Sequence, residues 1–155
     1  MKTLLLLLAA CLPAAIAQPR DLYKVEITIR DSAEPAKNAR KYSLLVFGQD
    51  KANLRVSSRT PVPNGSAGNF SYYDAGINLD CTVQEAVGRF GLHADLTLTS
   101  VFPPDKATGP APAITSSVQL NITSAVTPAK PTVVAAFEDP VTSRKFDVEA
   151  VVTKL

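Results

Sequence analysis

The side chains in this sequence that could take part in catalysis are few, and they are spread along the chain. His93 is the only histidine, so any nucleophile–base pair built on imidazole would depend on it. Cys81 could supply a thiol, but the alternation of apolar and polar residues sends Cys81 to one face of the sheet and His93 to the other. We therefore expect Cys81 to be a small buried hydrophobe and His93 to be solvated beside Asp95.

The sequence also gives no support for a metal site or a phosphate-binding site. A zinc site needs three or four clustered ligands, which one histidine and one inward cysteine cannot supply. The loop from Gly65 to Gly68 lacks the Lys-Ser/Thr pair of a phosphate-binding loop. Four aspartates could bind calcium, but they lack the spacing of a calcium motif, and we expect them to be solvated charges on turns and polar faces. They are Asp74, Asp80, Asp95 and Asp139. The sequence thus predicts no catalytic, cofactor-binding or metal-binding residue and no enzymatic activity.

One aromatic cluster, Phe70, Tyr72 and Tyr73, stands next to a loop rich in glycine. Exposed rings on a sheet face stack on sugars in β domains that bind glycans, so these residues are the candidates for a glycan- or peptide-binding module. Core packing at the start of a strand is the interpretation we favour. Solvent exposure of the three rings distinguishes the two.

These residues must be positioned by strands. Residues 18 to 155 contain 15 Val, 5 Ile and 12 Thr against only 5 Glu, and their apolar positions alternate with polar ones. The alternation predicts about eight strands in one domain, an all-β antiparallel sandwich or flattened barrel. The segments that carry it begin with Tyr23–Ile29, Lys41–Phe47, Leu54–Val56, Phe70–Val83 and Phe90–Thr99, and end with Val118–Thr123, Thr132–Phe137 and Phe146–Thr153.

The strand Lys41–Phe47 is apolar on both faces from Leu44 onwards, so we expect it at the centre of a sheet. The turn at 48–50 should join it to the next strand in a hairpin. Loops are predicted at 31–38, at 61–68 and, because of its four prolines, at 103–112.

The first 17 residues resemble an export signal. Lys2 precedes an apolar run, and Ala15 and Ala17 form the small-residue pattern after which a signal peptidase cuts, so the mature protein should begin at Gln18. A lipobox ending at Cys11 is the alternative, and it would leave a lipid anchor. No segment is long enough for a transmembrane helix. The mature chain has 15 basic and 14 acidic side chains, which gives no electrostatic reason for a nucleic-acid partner.

Taken in order, the segments from Val56 to Asp139 resemble the core of the secretins, the pore-forming outer-membrane subunits of bacterial secretion systems and type IV pili. Residues 56–62 are similar to the secretin strand that ends in a Pro-Val turn, and residues 72–81 to its next strand. The long alternating strand ending at Ser100 and the segment 112–137 follow in the same order. The matching positions are structural, so the resemblance transfers no functional residue.

The sequence also departs from the secretin pattern. The turn before the Val-Val run usually contains glycine in secretins, whereas here it is Ala129-Lys130-Pro131. We expect a small exported bacterial domain that shares the secretin sheet without the rest of a secretin. Its role would be structural or in protein interaction at the cell envelope, in the periplasm or at the outer membrane, with another envelope protein as partner. Prolines near two strands, and Arg144-Lys145 at the start of the last, should blunt the sheet edges and keep it a monomer or small oligomer.

Overall fold

The computed structural model describes residues 20–35, 39–63, 69–102 and 114–155. These residues form eight strands, which confirms the predicted all-β class and strand number. The predicted signal peptide, Cys11 and the loop 103–112 lie outside the described residues. The strands are β1 (Leu22–Asp31), β2 (Arg40–Phe47), β3 (Lys51–Pro63), β4 (Phe70–Ala86), β5 (Arg89–Phe102), β6 (Ile114–Val126), β7 (Thr132–Glu138) and β8 (Lys145–Lys154).

The strands form two antiparallel four-stranded sheets that pack as a sandwich. Sheet A has the order β2-β1-β8-β7, and sheet B has the order β3-β4-β5-β6. β2 lies beside β3 along one flank of the sandwich, and β6 lies beside β7 along the other. No helix in the described residues is long and apolar enough to cross a membrane.

Both sheets supply the core from alternate residues. Every second residue of β1, from Tyr23 to Ile29, is at most 2% exposed, and the same period continues through Val148 and Val152 of β8. Sheet B contributes the stretch from Ile77 to Val83 and the alternating apolar residues of β5. This period of two is the pattern on which the sequence prediction rested, because successive side chains of a strand point to opposite faces.

Two expectations about β2 are wrong. β2 is an edge strand of sheet A rather than a central one, and it pairs with β1 instead of forming a hairpin with β3. Of its apolar residues, Val46 is buried, whereas Leu45 and Phe47 are 57% and 52% exposed. The turn at 48–50 carries the chain across to the other sheet, and the N–H of Gln49 donates to the carbonyl of Val83 at 2.9 Å. Local alternation cannot distinguish such a crossing from a hairpin.

Sheet B is longer than sheet A. β4 has 17 residues and so spans about 56 Å, against about 33 Å for the ten residues of β8. The core includes β4 only from Ile77 onwards, so residues 70–76 extend past it. Of the loop predicted at 61–68, residues 61–63 belong to β3, and residues 64–68 lie outside the described residues. Proline fits there since β3 is an edge strand with one unpaired side.

Polar contacts join the two sheets at the end where the chain crosses between them. The hydroxyl of Tyr23 in sheet A donates to Glu85 in sheet B at 2.9 Å, and the ammonium of Lys154 donates to the same carboxylate oxygen at 2.8 Å. The hydrogen bond from Lys154 lowers the pKa of Glu85 most, and that from Tyr23 lowers it further. The ring of Tyr23 also packs edge-on against Phe90, with 5.2 Å between centroids.

Candidate interaction surfaces

Cys81 and His93 lie on opposite faces of sheet B, as the alternation predicts. Cys81 is 2% exposed, and burial, assisted by the charge of Asp80, raises the pKa of its thiol to about 11. His93 stands on the outer face of sheet B, which we define as the face turned away from sheet A. Its Nδ1 lies 2.9 Å from the hydroxyl of Thr123, and its Nε2 lies 4.0 Å from a carboxylate oxygen of Asp95. A thiol–imidazole pair therefore cannot form.

Of the four aspartates that could have bound a cation, only Asp80 and Asp95 are neighbours, opposite each other in the ladder between β4 and β5. Asp80 pairs with Lys51 at 2.7 Å, and this contact lowers the pKa of Asp80. Asp139 is buried and accepts the N–H groups of Val141 at 2.8 Å and Thr142 at 3.1 Å, so it stabilises the turn before β8. Among the described residues, no three side chains of the metal-binding types come together.

The aromatic cluster divides between two faces of β4. Phe70 and Tyr72 lie on the outer face and are 53% and 63% exposed, whereas Tyr73 points to the other face and is partly buried. The expectation of core packing is therefore wrong for Phe70 and Tyr72, because the outer face of β4 is turned away from the core. The three rings also cannot form a single binding surface.

A groove of about 270 Å³ opens on the outer face around Gly76, and polar and apolar residues share its walls. Gly76 lies within it, and a Cβ at this position would overlap the carbonyl oxygen of Val56 in the neighbouring strand. Sequence reasoning missed the groove. The sequence feature that could have revealed it is a glycine inside an otherwise regular strand pattern, since such a glycine marks a close approach of two backbones. The polar residues of the walls include Arg55, Asp74, Asn78, Thr97 and Thr99.

Four edge strands offer further contact surfaces, and they differ in how strongly they resist pairing. Along its unpaired edge, β3 carries three cations and Pro61, which oppose the addition of another strand. β7 has no charge before Glu138, and its Val133 is 59% exposed. A register shift between Val133 and Ala135 is the main irregularity of β7. Arg144 and Lys145 do not protect an edge as we expected, because β8 lies between β1 and β7.

Comparison with known proteins supports the resemblance to secretins at the level of fold. No family model matches the sequence, and no curated protein is significantly similar to it. Solved structures do match. The chain superposes with a TM-score of 0.54 and 10% identity on the complex of the ETEC secretin GspD with its pilotin AspS, covering 88% of this chain and 50% of that one.

Two other secretin structures are similar to the same extent. One is the outer-membrane complex of the Klebsiella pneumoniae type II secretion system, which contains PulD, PulS and the PulC HR domain, with a TM-score of 0.56, 13% identity and coverage of 88% and 40%. The other is Aeromonas hydrophila ExeD, with a TM-score of 0.55, 12% identity and coverage of 88% and 49%. The chain spans half or less of these proteins. It has a secretin-like fold, as the order of its segments predicted.

Proposed function

We propose that this chain is an exported, non-enzymatic bacterial domain with a structural or protein-interaction role at the cell envelope. The observation that carries the proposal is the secretin-like pair of sheets, both of which end in unpaired strands within the described residues. One flank presents β2 and β3, and the other presents β6 and β7. A sandwich open on two flanks suits assembly with other chains, because unpaired N–H and C=O groups accept a further strand.

The partner we propose is another envelope protein that adds to the β7 edge. This edge is short, uncharged before Glu138 and partly apolar, whereas β3 is protected by Lys51, Arg55, Arg59 and its prolines. A photo-crosslinking residue in place of Val133 should give an adduct with another protein in intact cells. The same residue in place of Asn78, exposed on an interior strand of sheet B, is the matched control. Equal adducts at both positions would contradict docking at β7.

The oligomeric state of the purified domain is independent of its binding to another envelope protein. We expect the purified mature domain to be a monomer or small oligomer, because the cations and prolines of the β3 edge resist pairing. Light scattering at micromolar concentration tests this. A stable ring of about a dozen subunits would overturn the expectation and would favour a pore-like assembly.

Export is supported by the first 17 residues of the sequence. We propose cleavage after Ala17, which leaves an N-terminus at Gln18, free or cyclised to pyroglutamate. The intact mass of the protein recovered from the envelope decides the matter. A mass that fits a chain starting at Cys11 with attached acyl groups would show that the protein is lipid-anchored instead.

A further inference from the structure

We propose that the outer face of sheet B, from Phe70 to Asn78 along β4, binds a carbohydrate chain. This inference goes beyond the structural role, since that role depends on the strand edges and this one on a sheet face. Two independent features meet there. One is a groove around Gly76 whose walls include hydrogen-bonding side chains, and the other is a pair of exposed aromatic rings on the same strand and the same face.

The walls of the groove offer both hydrogen-bond donors and acceptors. Asn78 and Thr97 can do both, Arg55 donates, and Asp74 accepts. A sugar hydroxyl also donates and accepts, so such a mixed wall can satisfy many hydroxyls in a small volume. Because Gly76 has no side chain, the groove reaches down to the backbone of β4. Its volume of about 270 Å³ leaves room for a sugar ring.

The aromatic residues extend the surface along the strand. Tyr72 and Phe70 lie two and four residues before Asp74, so all three side chains leave β4 on the outer face. Tyr72 is four residues from Gly76, about 13 Å along the strand. The flat, apolar C–H face of a sugar stacks on an exposed ring, which recovers the free energy lost by leaving that ring in water. A ligand that reaches both the ring and the groove must be a chain of several sugars.

A peptide fits this face less well. Extended peptides bind by adding a strand to a sheet edge, whereas the backbone groups of β4 are engaged with β3 on one side and β5 on the other. A polyanion such as nucleic acid also lacks support. Arg59 beside the groove faces Asp74, with 3.3 Å between the guanidinium and the carboxylate. Of the three cations that β3 presents on this face, Lys51 pairs with Asp80 as well, so the face carries charges of both signs.

The test is calorimetric titration of the purified exported protein with three hexasaccharides, built of N-acetylglucosamine, of glucose and of galacturonic acid. We expect at least one to bind. Replacing Tyr72 by alanine should weaken that binding about tenfold or more, since it removes the stacking surface. Thr99→Arg should abolish binding by filling the groove, and it leaves the core untouched because Thr99 faces outwards.

Phe47→Ala is the matched control, because Phe47 is an exposed ring of similar accessibility on an edge strand of sheet A. It should bind the hexasaccharide as the unchanged protein does, and all three variants should keep the same far-UV circular dichroism. No binding of any hexasaccharide at millimolar concentration would overturn the proposal, as would equal losses in Tyr72→Ala and Phe47→Ala. Binding of unstructured peptides that is lost in Tyr72→Ala, with no hexasaccharide bound, would assign the face to peptides instead.

Discussion

Replacing Gly76 by alanine is the sharpest perturbation that the structure offers. Gly76 lies opposite Ser57 in the ladder between β3 and β4, two positions after Asp74. A Cβ added there would overlap the carbonyl oxygen of Val56 and would lie 2.7 Å from the Cα of Ser57. Both obstacles are backbone atoms of the neighbouring strand. No side chain can rotate away to make room, so the two strands must separate locally.

The cost follows from that separation. Forcing an extra carbon into a closely packed site typically costs about 1 to 3 kcal/mol, and each ladder hydrogen bond that is lost adds about 1 kcal/mol. We expect Gly76→Ala to lower the free energy of unfolding by about 2 to 4 kcal/mol. For a domain of this size, that corresponds to a fall in Tm of about 10 °C. Because the chain has no tryptophan, urea unfolding is best followed by far-UV circular dichroism.

Gly91 provides the matched control on the next strand. A Cβ there would lie 3.7 Å from the carbonyl oxygen of Gln84, which is an ordinary van der Waals contact. Gly91→Ala should therefore leave stability unchanged or raise it by up to about 1 kcal/mol, since alanine restricts the unfolded chain more than glycine does. If Gly76→Ala were as stable as the unchanged protein, or if both variants lost the same amount, the close approach of β3 and β4 at Gly76 would be refuted.

Three further predictions concern the core, the contacts between the sheets and a turn. Cys81→Ser should cost about 1 to 3 kcal/mol by placing a hydroxyl among apolar residues, and rapid labelling of the native thiol by a polar maleimide would contradict its burial. Because the pKa of Glu85 is lowered, its contribution to stability is present above its ordinary pKa of 4.5 and is lost as pH falls below that value. The free energy of unfolding measured in urea at pH 7 and at pH 3.5 should therefore differ less in Glu85→Gln than in the unchanged protein. Ala129 has a φ of 56°, which glycine adopts more easily than alanine, so Ala129→Gly should raise stability by up to about 1 kcal/mol. Thermal unfolding measures this, and a loss of stability would show that the conformation of Ala129 is not strained.

The sequence determined the faces of the strands better than their neighbours. In β1 and β5 the alternation identifies the buried side correctly at almost every position, and it places Cys81 of β4 and His93 of β5 on opposite faces. For β2 the same rule fails, because residues 44–47 are apolar on both faces. Strand order depends on which segments meet in the folded chain, and that information is not local. An apolar run is compatible with the centre of a sheet or, as here, with an exposed edge.

The candidate binding face was only partly recognised from the sequence. The sequence drew attention to Phe70, Tyr72 and Tyr73 as one cluster. The alternation that sends Ile77 inwards also sends Phe70 and Tyr72 to the outer face, which is turned away from sheet A, so both rings are exposed. Gly76, which opens the groove, stands in the same strand and would have been the better guide.

Two turns carry the described part of the chain from one sheet to the other, and in each a residue other than glycine has a positive φ. In the second crossing, the turn that usually contains glycine in secretins has Ala129 at a φ of 56°, and its N–H donates to the carbonyl of Val152 at 2.8 Å. In the first crossing, Gln49 has a φ of 67°, and its N–H donates to Val83 at 2.9 Å. Each left-handed residue thus bonds to a core strand beside the turn. Since the donor is the backbone N–H, any residue except proline can make this hydrogen bond, and glycine only makes the conformation easier to adopt. The packing of the two sheets therefore imposes the turn conformation, and the sequence at the turn can change while the fold is retained.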